Sequence, residues 1–395
     1  MLAQLGAVIV MTVLRYRPHV APTVDTAPAA PADRQGAWAG LREFRVRYRE
    51  DEDEALSQTS FYLEPVDGRP LAAYHAGQFL TLQLALRDAQ GALRTVTRCY
   101  SLSDRHDPGG YRITIKRIPA PPDRPDLPPG LVSNHFHDRV APGTLLEVRA
   151  PAGSFVLDED RGIVAVLVAG GIGITPLFAM ARAALAAQPD RAIHLIYGVR
   201  NWRDLVFEAA LAEMAERHRN FQVTLVQSCP APGDSARHGF GLSGVIDMTL
   251  LHQVLPPGRH DFYVCGPPPM MVSLIPALRD GGVPADRIHH EAFGPASIGV
   301  PEPAVDVPLD TRIVVRFARS GRTLGWTGED ASLLDFAERN GVAVDSGCRS
   351  GSCGTCEIGI SSGTLRYVRP PVFEPGPGRC LLCVSAPISD LVLEA

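Results

Sequence analysis

Five cysteines crowd into the last 48 residues of a 395-residue chain, and their spacing is where chemistry is most legible. Cys348, Cys353 and Cys356 stand at C-x4-C-x2-C, and Cys383 follows after 26 intervening residues. That is the ligand pattern of a [2Fe–2S] cluster. The residues between the cysteines suit the task. Gly351 and Gly354 accept positive φ and let the backbone wrap tightly. The small neighbours Ser350, Ser352 and Thr355 leave room for backbone N–H groups to point at sulfur, which helps set a reduction potential.

A structural zinc site is the competing reading. Zinc favours two close C-x2-C pairs or histidine partners. Cys353/Cys356 and Cys380/Cys383 have that spacing, but Cys348 would be left over. Cys380 also competes with Cys383 as the fourth ligand. The apolar run Leu381 to Ser385 predicts a strand that would hold Cys383 rigidly, which favours Cys383. On this motif the last 85 residues resemble the plant-type ferredoxin family. The resemblance implies a small α+β domain of the β-grasp type, with its cluster near the surface.

A second constellation is Arg98-Cys99-Tyr100-Ser101. Arginine can grip a phosphate bidentately, tyrosine can lie on a flat heteroaromatic, and a serine hydroxyl can bond a ring nitrogen. Around it, alternating runs at Arg42–Arg49, Leu80–Leu86 and Tyr111–Arg117 predict strands, separated by turn signals such as Asp107-Pro108-Gly109-Gly110. Several short strands with little helix predict a small antiparallel barrel. Gly130-Leu131-Val132-Ser133-Asn134 falls where a helix should begin, and helix N-termini bind phosphate.

A third constellation follows the apolar run Ile163–Val168, which predicts a buried parallel strand. It ends in Ala169-Gly170-Gly171-Ile172-Gly173-Ile174-Thr175-Pro176. The glycines permit a tight turn and close ligand approach; Thr175 suits an N-cap and Pro176 a first helical position. A diphosphate would then sit at a helix N-terminus. Further strands at Ile193–Tyr197, Phe221–Val226 and Phe262–Pro267 alternate with helices at Asp204–Arg217 and Met271–Leu278. This predicts an open α/β parallel sheet whose ligands bind past the strand carboxyl ends, where Cys265, Gly266 and Pro267 fall.

Together, residues of about 40–295 resemble the ferredoxin–NADP reductase superfamily, and most closely the reductase part of flavohaemoglobins. The resemblance implies that Arg98 contacts flavin phosphates, Tyr100 stacks on the isoalloxazine and Ser101 bonds near its N5. It implies that Ile115, Lys116, Gly130, Ser133 and Asn134 line the rest of the flavin site. It sets Cys265 beside the nicotinamide, unless that thiol is only a small buried residue. Phe293, in Glu291-Ala292-Phe293-Gly294-Pro295, would cover the isoalloxazine until nicotinamide displaces it, or else is a core phenylalanine. Relatives that use FMN carry Gly-Gly-Ser at the second phosphate site. The Gly-Leu-Val-Ser-Asn found here looks like the FAD form, with FMN as the alternative. Arg200 or Arg203 could meet a 2′-phosphate or simply be solvated, so NADH versus NADPH stays open. The proline-rich loop Pro119–Pro129 departs from shorter relatives and has no assigned role.

Length and composition agree with several domains: 45% of residues are hydrophobic and the formal net charge is −5, which argues for neither nucleic acid nor an anionic membrane as partner. Met1–Leu14 is apolar but shorter than the roughly 20 residues a membrane span needs. Its positive residues follow the apolar stretch, opposite to a secretory signal. We therefore expect a multidomain chain: a disordered extension (1–36), an FAD-binding antiparallel β-barrel (37–157), an NAD(P)-binding α/β domain (158–295), a linker (296–310) and a [2Fe–2S] ferredoxin domain (311–395). A cluster with free thiols suits a reducing cytoplasm. The expected activity is NAD(P)H-dependent reduction of a separate acceptor protein, an oxygenase, through flavin and cluster. The alternatives are a stand-alone reductase of a small acceptor, or an electron-transfer or redox-sensing subunit.

Overall fold

The computed structural model describes residues 38–395 apart from 39, 88–90, 92, 121–124, 127, 159–161, 231–240, 294–312, 350, 352, 369–370 and 372. The expected extension and linker, and part of the Pro119–Pro129 loop, lie outside the described residues.

Six strands open the fold: β1 (Arg42–Asp51), β2 (Gln58–Pro65), β3 (Phe79–Arg87), β4 (Leu93–Ser101), β5 (Tyr111–Lys116) and β6 (Leu145–Ala152). They pair antiparallel in the order β4-β3-β6-β1-β2-β5. Alternation is clearest in β1, where Phe44 and Val46 are buried while Glu43 and Arg45 are exposed, whereas β2 and β5 are buried along most of their length. The two edges meet where Leu102 bridges to Ile113 and Ser103 N donates to Arg112 O, so the sheet closes into the expected barrel. Helix α1 (Leu131–Arg139) plugs one end by inserting Phe136, which meets Phe61 edge-on at 5.1 Å in the barrel core.

The second sheet holds β7 (Val164–Gly170), β8 (Ile193–Val199), β9 (Phe221–Gln227), β10 (Leu242–Ser243), β11 (His260–Gly266) and β12 (Ile288–Ala292). Every pairing is parallel, in the order β10-β9-β8-β7-β11-β12. Helices α2 (Ile174–Ala187), α3 (Glu208–Arg217), α4 (Met248–Val254) and α5 (Pro268–Asp280) cover its two faces. Along β7, Leu167 packs with α2 and α3, whereas Val166 and Val168 pack with α4 and α5. Strand order reverses between β7 and β11, and that switch point is where open α/β sheets bind ligands.

Two boundaries differ from expectation. The helix predicted from Asp204 starts at Glu208: Trp202–Asp204 forms a 3-10 turn held by Asn201, and Phe207 takes φ 61° so that its ring can stack on Phe178 at 4.3 Å. The helix predicted from Pro176 starts at Ile174. Thr175 is therefore not its N-cap; its hydroxyl donates to Ile172 O.

The third part comprises β13 (Ile313–Phe317), β14 (Arg322–Trp326), helix α6 (Leu333–Arg339), β15 (Glu357–Ser362), β16 (Leu365–Tyr367), β17 (Arg379–Leu381), β18 (Ser385–Pro387) and β19 (Leu391–Leu393). A mixed sheet runs β14-β13-β19-β15-β17, with β13 and β19 parallel, beside the pair β16-β18. Ser332 caps α6 by accepting from Asp335 N, and Leu333, Phe336 and Ala337 bury against Val315, Phe317, Leu391 and Leu393. This is the α+β arrangement expected of a β-grasp.

The barrel and the parallel sheet are clamped together. Arg112 of β5 lies over Phe178 (5.3 Å) and Phe207 (4.7 Å) of the nucleotide module. Arg182 of α2 pairs with Asp104 at 2.7 Å, and Gln58 Nε2 donates to Asp204 O.

The packing at the switch point leaves no room for a methyl group. A Cβ on Gly173 would lie 2.2 Å from Cys265 O, and one on Gly170 2.5 Å from the Pro267 ring. Gly173→Ala is expected to cost about 1–3 kcal/mol of stability, as overpacking does. Calorimetric unfolding should report this as a lower melting temperature of the nucleotide module.

Candidate functional site

β4 divides its side chains between two faces. Tyr100 lies opposite Leu80 and packs on the barrel core, its ring 5.6 Å from Phe136. Arg98, two residues earlier on the same face, is exposed and donates to Thr97 O. Beside them stand Ile115 and Lys116 of β5 and the start of α1. Lys116 is the one lysine in the sequence.

The first turn of α1 has no side-chain cap. Ser133 Oγ accepts from Ile118 N and donates to Gly130 O; Asn134 Nδ2 donates to Ile118 O and Gly130 O. These side chains tie the helix start to the end of β5. The orphan N–H groups of the first turn remain the natural phosphate donors. An aromatic face, two cations and an uncapped helix start together fit a flavin with its phosphates.

At the switch point, β7 ends in Gly170, and Gly171 takes φ 52° with open space where a Cβ would be. Gly266 approaches Gly170 so closely that its Cβ would lie 3.1 Å from Gly170 Cα. Pro267 precedes α5, which also lacks a side-chain cap. This bare backbone cradle fits a dinucleotide diphosphate. Cys265 is fully enclosed in the core, and Phe293 packs half-buried against the same cluster. Arg200 is exposed just past β8, and Arg203 stands 3.9 Å from Glu54.

One further residue belongs here and was not singled out in the sequence. Glu291 of β12 pairs in register with Cys265 of β11, and its Oε2 accepts from Ser101 Oγ at 3.4 Å. Burial, aided by the charge of Cys348, raises its carboxyl from the ordinary 4.5 to about 8; the Ser101 bond opposes this. The available signal was an acidic residue on a strand neighbouring a cysteine-ended strand. Detecting it requires knowing which strands pair.

The cysteine loop arranges its sulfurs in two pairs. Cys348 N donates to Cys353 Sγ and Cys353 N to Cys348 Sγ, both at 3.3 Å. Cys356 and Cys383 form the second pair: their interaction lowers the Cys356 thiol and, with burial, pushes the Cys383 thiol well up. Two pairs of sulfurs attended by backbone N–H groups fit a two-iron cluster, two thiolates to each iron. Cys383 rides a 3-10 turn, Leu382–Val384, rather than the predicted strand; Leu382 N donates to Cys356 O and turns the chain there. Cys380, inside β17, is wholly buried, which pushes its thiol up to about 12.

Three family models match the chain in the same order: an oxidoreductase FAD-binding domain over residues 57–157, an oxidoreductase NAD-binding domain over 167–274, and a 2Fe-2S iron-sulfur cluster binding domain over 317–387. The flavohem-like FAD/NAD binding domain of nitric oxide dioxygenase from Vibrio cholerae is 30% identical, with a TM-score of 0.56, over 65% of this chain and 100% of that one. This chain belongs to the ferredoxin–NADP reductase superfamily. It is an NAD(P)H-dependent oxidoreductase with FAD-binding, NAD-binding and [2Fe–2S] modules. Phthalate dioxygenase reductase is 27% identical to this reductase, with a TM-score of 0.53, over 90% of this chain and 98% of that one. A flavohemoprotein of Halalkalibacterium halodurans is 37% identical over 261 residues, 66% of this chain. The reductase spans 62% of that relative's length. Among the described residues no helix is long and apolar enough to cross a membrane.

Because Glu291 binds its proton more tightly in the folded reductase, its contribution to stability is full below the unfolded value and is lost as pH rises toward 8. The melting temperature should therefore fall between about pH 5 and pH 8, and Glu291→Gln should remove that part of the slope. Scanning calorimetry across the range checks it; parallel pH profiles for both proteins would exclude Glu291 as the source.

Proposed function

We propose that this reductase carries electrons from NADH or NADPH through FAD and the [2Fe–2S] cluster to a separate acceptor protein, a terminal oxygenase of the Rieske, di-iron or haem class. The observation that carries the proposal is the likeness to phthalate dioxygenase reductase, which extends over nine-tenths of the chain and takes in all three modules. That protein is a modular structure for electron transfer from pyridine nucleotides to [2Fe–2S]. The module limits we adopt are 37–157, 158–295 and 311–395. The free thiols and the cluster suit a cytoplasmic setting.

Each residue has a task in this reading. Arg98, Lys116 and the first turn of α1, from Gly130 through Ser133 and Asn134, hold the flavin's phosphates and ribityl chain. Ile115 walls that site. Tyr100 supports one face of the ring system from the barrel side. Ser101, whose single hydroxyl hydrogen goes to Glu291 in this structure, would turn it to a ring nitrogen when flavin is bound, with the protonated Glu291 carboxyl then donating to Ser101 Oγ. Gly170, Gly171, Gly173, Thr175, Gly266 and Pro267 seat the dinucleotide diphosphate, Arg200 meets its adenosine end, and Cys265 borders the nicotinamide. Phe293 shields the flavin face and moves aside when nicotinamide arrives. Cys348, Cys353, Cys356 and Cys383 ligate the iron. FAD, when bound, splits a two-electron donation into the single electrons that an iron–sulfur centre accepts.

Anaerobic titration with NADH and with NADPH, followed by absorbance and electron paramagnetic resonance, tests the core of the proposal. Flavin bleaching followed by a reduced-cluster signal is expected. Cys353→Ser should leave the bleaching and slow electron delivery to cytochrome c by about tenfold or more, as loss of an obligatory carrier does. Undiminished delivery would overturn the route through the cluster. As a second check, Lys116 should resist an amine-directed acylating reagent in the FAD-loaded protein and react once the flavin is removed, as read by peptide mass spectrometry.

A further inference from the structure

The loop that joins β1 to β2, residues 52–57, belongs to the flavin barrel but reaches the nucleotide module. Asp53 organises it. The residue is 6% exposed, and its carboxylate accepts four hydrogen bonds: from Ser57 N and Gln58 N at 2.9 Å, Ser57 Oγ at 2.7 Å and Gln58 Nε2 at 3.1 Å. Leu56 closes the loop at φ 52°, its N–H donating to Asp53 O. A leucine in that region persists only where its surroundings over-determine it. The loop so held grips the turn Trp202–Asp204 by two carbonyls: Ala55 N donates to Arg203 O and Gln58 Nε2 to Asp204 O, both at 3.0 Å. Gln58 is wholly buried, so its bonds are made away from water. Glu54 adds a carboxylate 3.9 Å from Arg203. On its other side the loop meets β5: Gln58 pairs with Lys116, and Ser57 O accepts from Arg117 N. One short loop therefore touches both the strand assigned to the flavin's phosphates and the turn that follows β8.

We propose that Asp53 and Gln58 are positioning residues for nucleotide binding: through the turn after β8 they set the place of the adenosine end of NADH or NADPH, and Glu54 biases the choice between the two. The turn begins at the carboxyl end of β8, the strand beside β7 and its diphosphate cradle, where open α/β sheets take the adenosine ribose. The nucleotide module holds one side of it, Cys229 N donating to Arg200 O and Asn201 Oδ1 accepting from Arg203 N. The flavin barrel holds the other side through Arg203 O and Asp204 O. Arginine grips a 2′-phosphate well, and Arg200 stands exposed to do so. Arg203 instead faces the Glu54 carboxylate, which engages its charge and repels a phosphate. Glu54 thus works against NADPH and leaves NADH, which lacks that phosphate, unaffected. The nicotinamide end is seated by other residues, Cys265 and Gly266, so the loop acts on binding rather than on the chemical step. This inference rests on the nucleotide site proposed above.

Steady-state kinetics of the full-length, flavin-loaded protein, with ferricyanide as oxidant, test it. Gln58→Met keeps the side chain's length and removes its donors. It should raise KM for NADH and for NADPH about fivefold, as loss of a hydrogen bond does, while kcat stays within about twofold of wild type. The inhibition constant of AMP, a fragment with the adenosine end alone, should rise in parallel. Glu54→Gln should raise the NADPH-to-NADH ratio of kcat/KM about twofold through KM, the scale of an exposed ion pair. Glu54 is exposed, so this variant is readable even where Gln58→Met fails to fold. The inference is overturned if folded, flavin-loaded Gln58→Met keeps the wild-type KM and AMP inhibition, if kcat falls while KM holds, or if Glu54→Gln leaves the ratio unchanged. A wild-type flavin that neither nucleotide reduces would overturn the parent reading instead.

Discussion

The two-residue period of one strand is the constraint on which the rest of this reductase depends. β4 places Tyr100 on the barrel core and, by the same pleat, turns Cys99 and Ser101 the other way, where Ser101 reaches Glu291 of the nucleotide module. A shift of one residue in the β3–β4 register would exchange these faces. It would bring the tyrosine ring into the module junction and bury the two hydrogen-bonding side chains in hydrocarbon. Register is held by nine consecutive antiparallel partners from Phe79↔Ser101 to Arg87↔Leu93, and by the apolar burial of Leu80, Leu82 and Leu84.

The nucleotide module meets that strand because its sheet presents the right end. β7 and β11 finish side by side at the switch point, and β12 adds Glu291 next to Cys265. Three glycines allow the strand ends to close so tightly that backbone, rather than side chain, lines the cradle. The clamp of Arg112, Phe178, Phe207, Arg182 and Asp104 then fixes the barrel against the sheet. Binding surface and joint are thus built from different residues. Ligands can enter the crevice without breaking the contacts that align it.

What could be read from the sequence was whatever is local. Cysteine spacing, alternating runs and a glycine-rich strand-to-helix turn each involve a few adjacent residues, and they led to the three module types in order. Boundaries were lost where tertiary burial overrode local preference. Phe207 adopts a left-handed backbone to stack on Phe178, which delays α3, and Leu382–Val384 coils to bring Cys383 to Cys356. Glu291 was passed over for the same reason: it carries no motif of its own and gains meaning from Cys265, more than twenty residues away and brought beside it by strand pairing.

The iron–sulfur loop keeps its shape by means internal to its own module. Arg349, between two candidate ligands, takes φ 53° and is held by Glu338 at 2.5 Å and Asp335 at 3.5 Å, in the last and first turns of α6. A non-glycine residue in the left-handed region persists only when its surroundings over-determine it, and two carboxylates on a helix do so. The Cys348/Cys353 sulfur pair is likewise fixed by N–H groups of the loop itself. Residues 311–395 carry nine arginines against nine acidic residues, a formal charge of zero. Long-range attraction to the rest of the chain is correspondingly weak, and covalent connection supplies the local concentration instead.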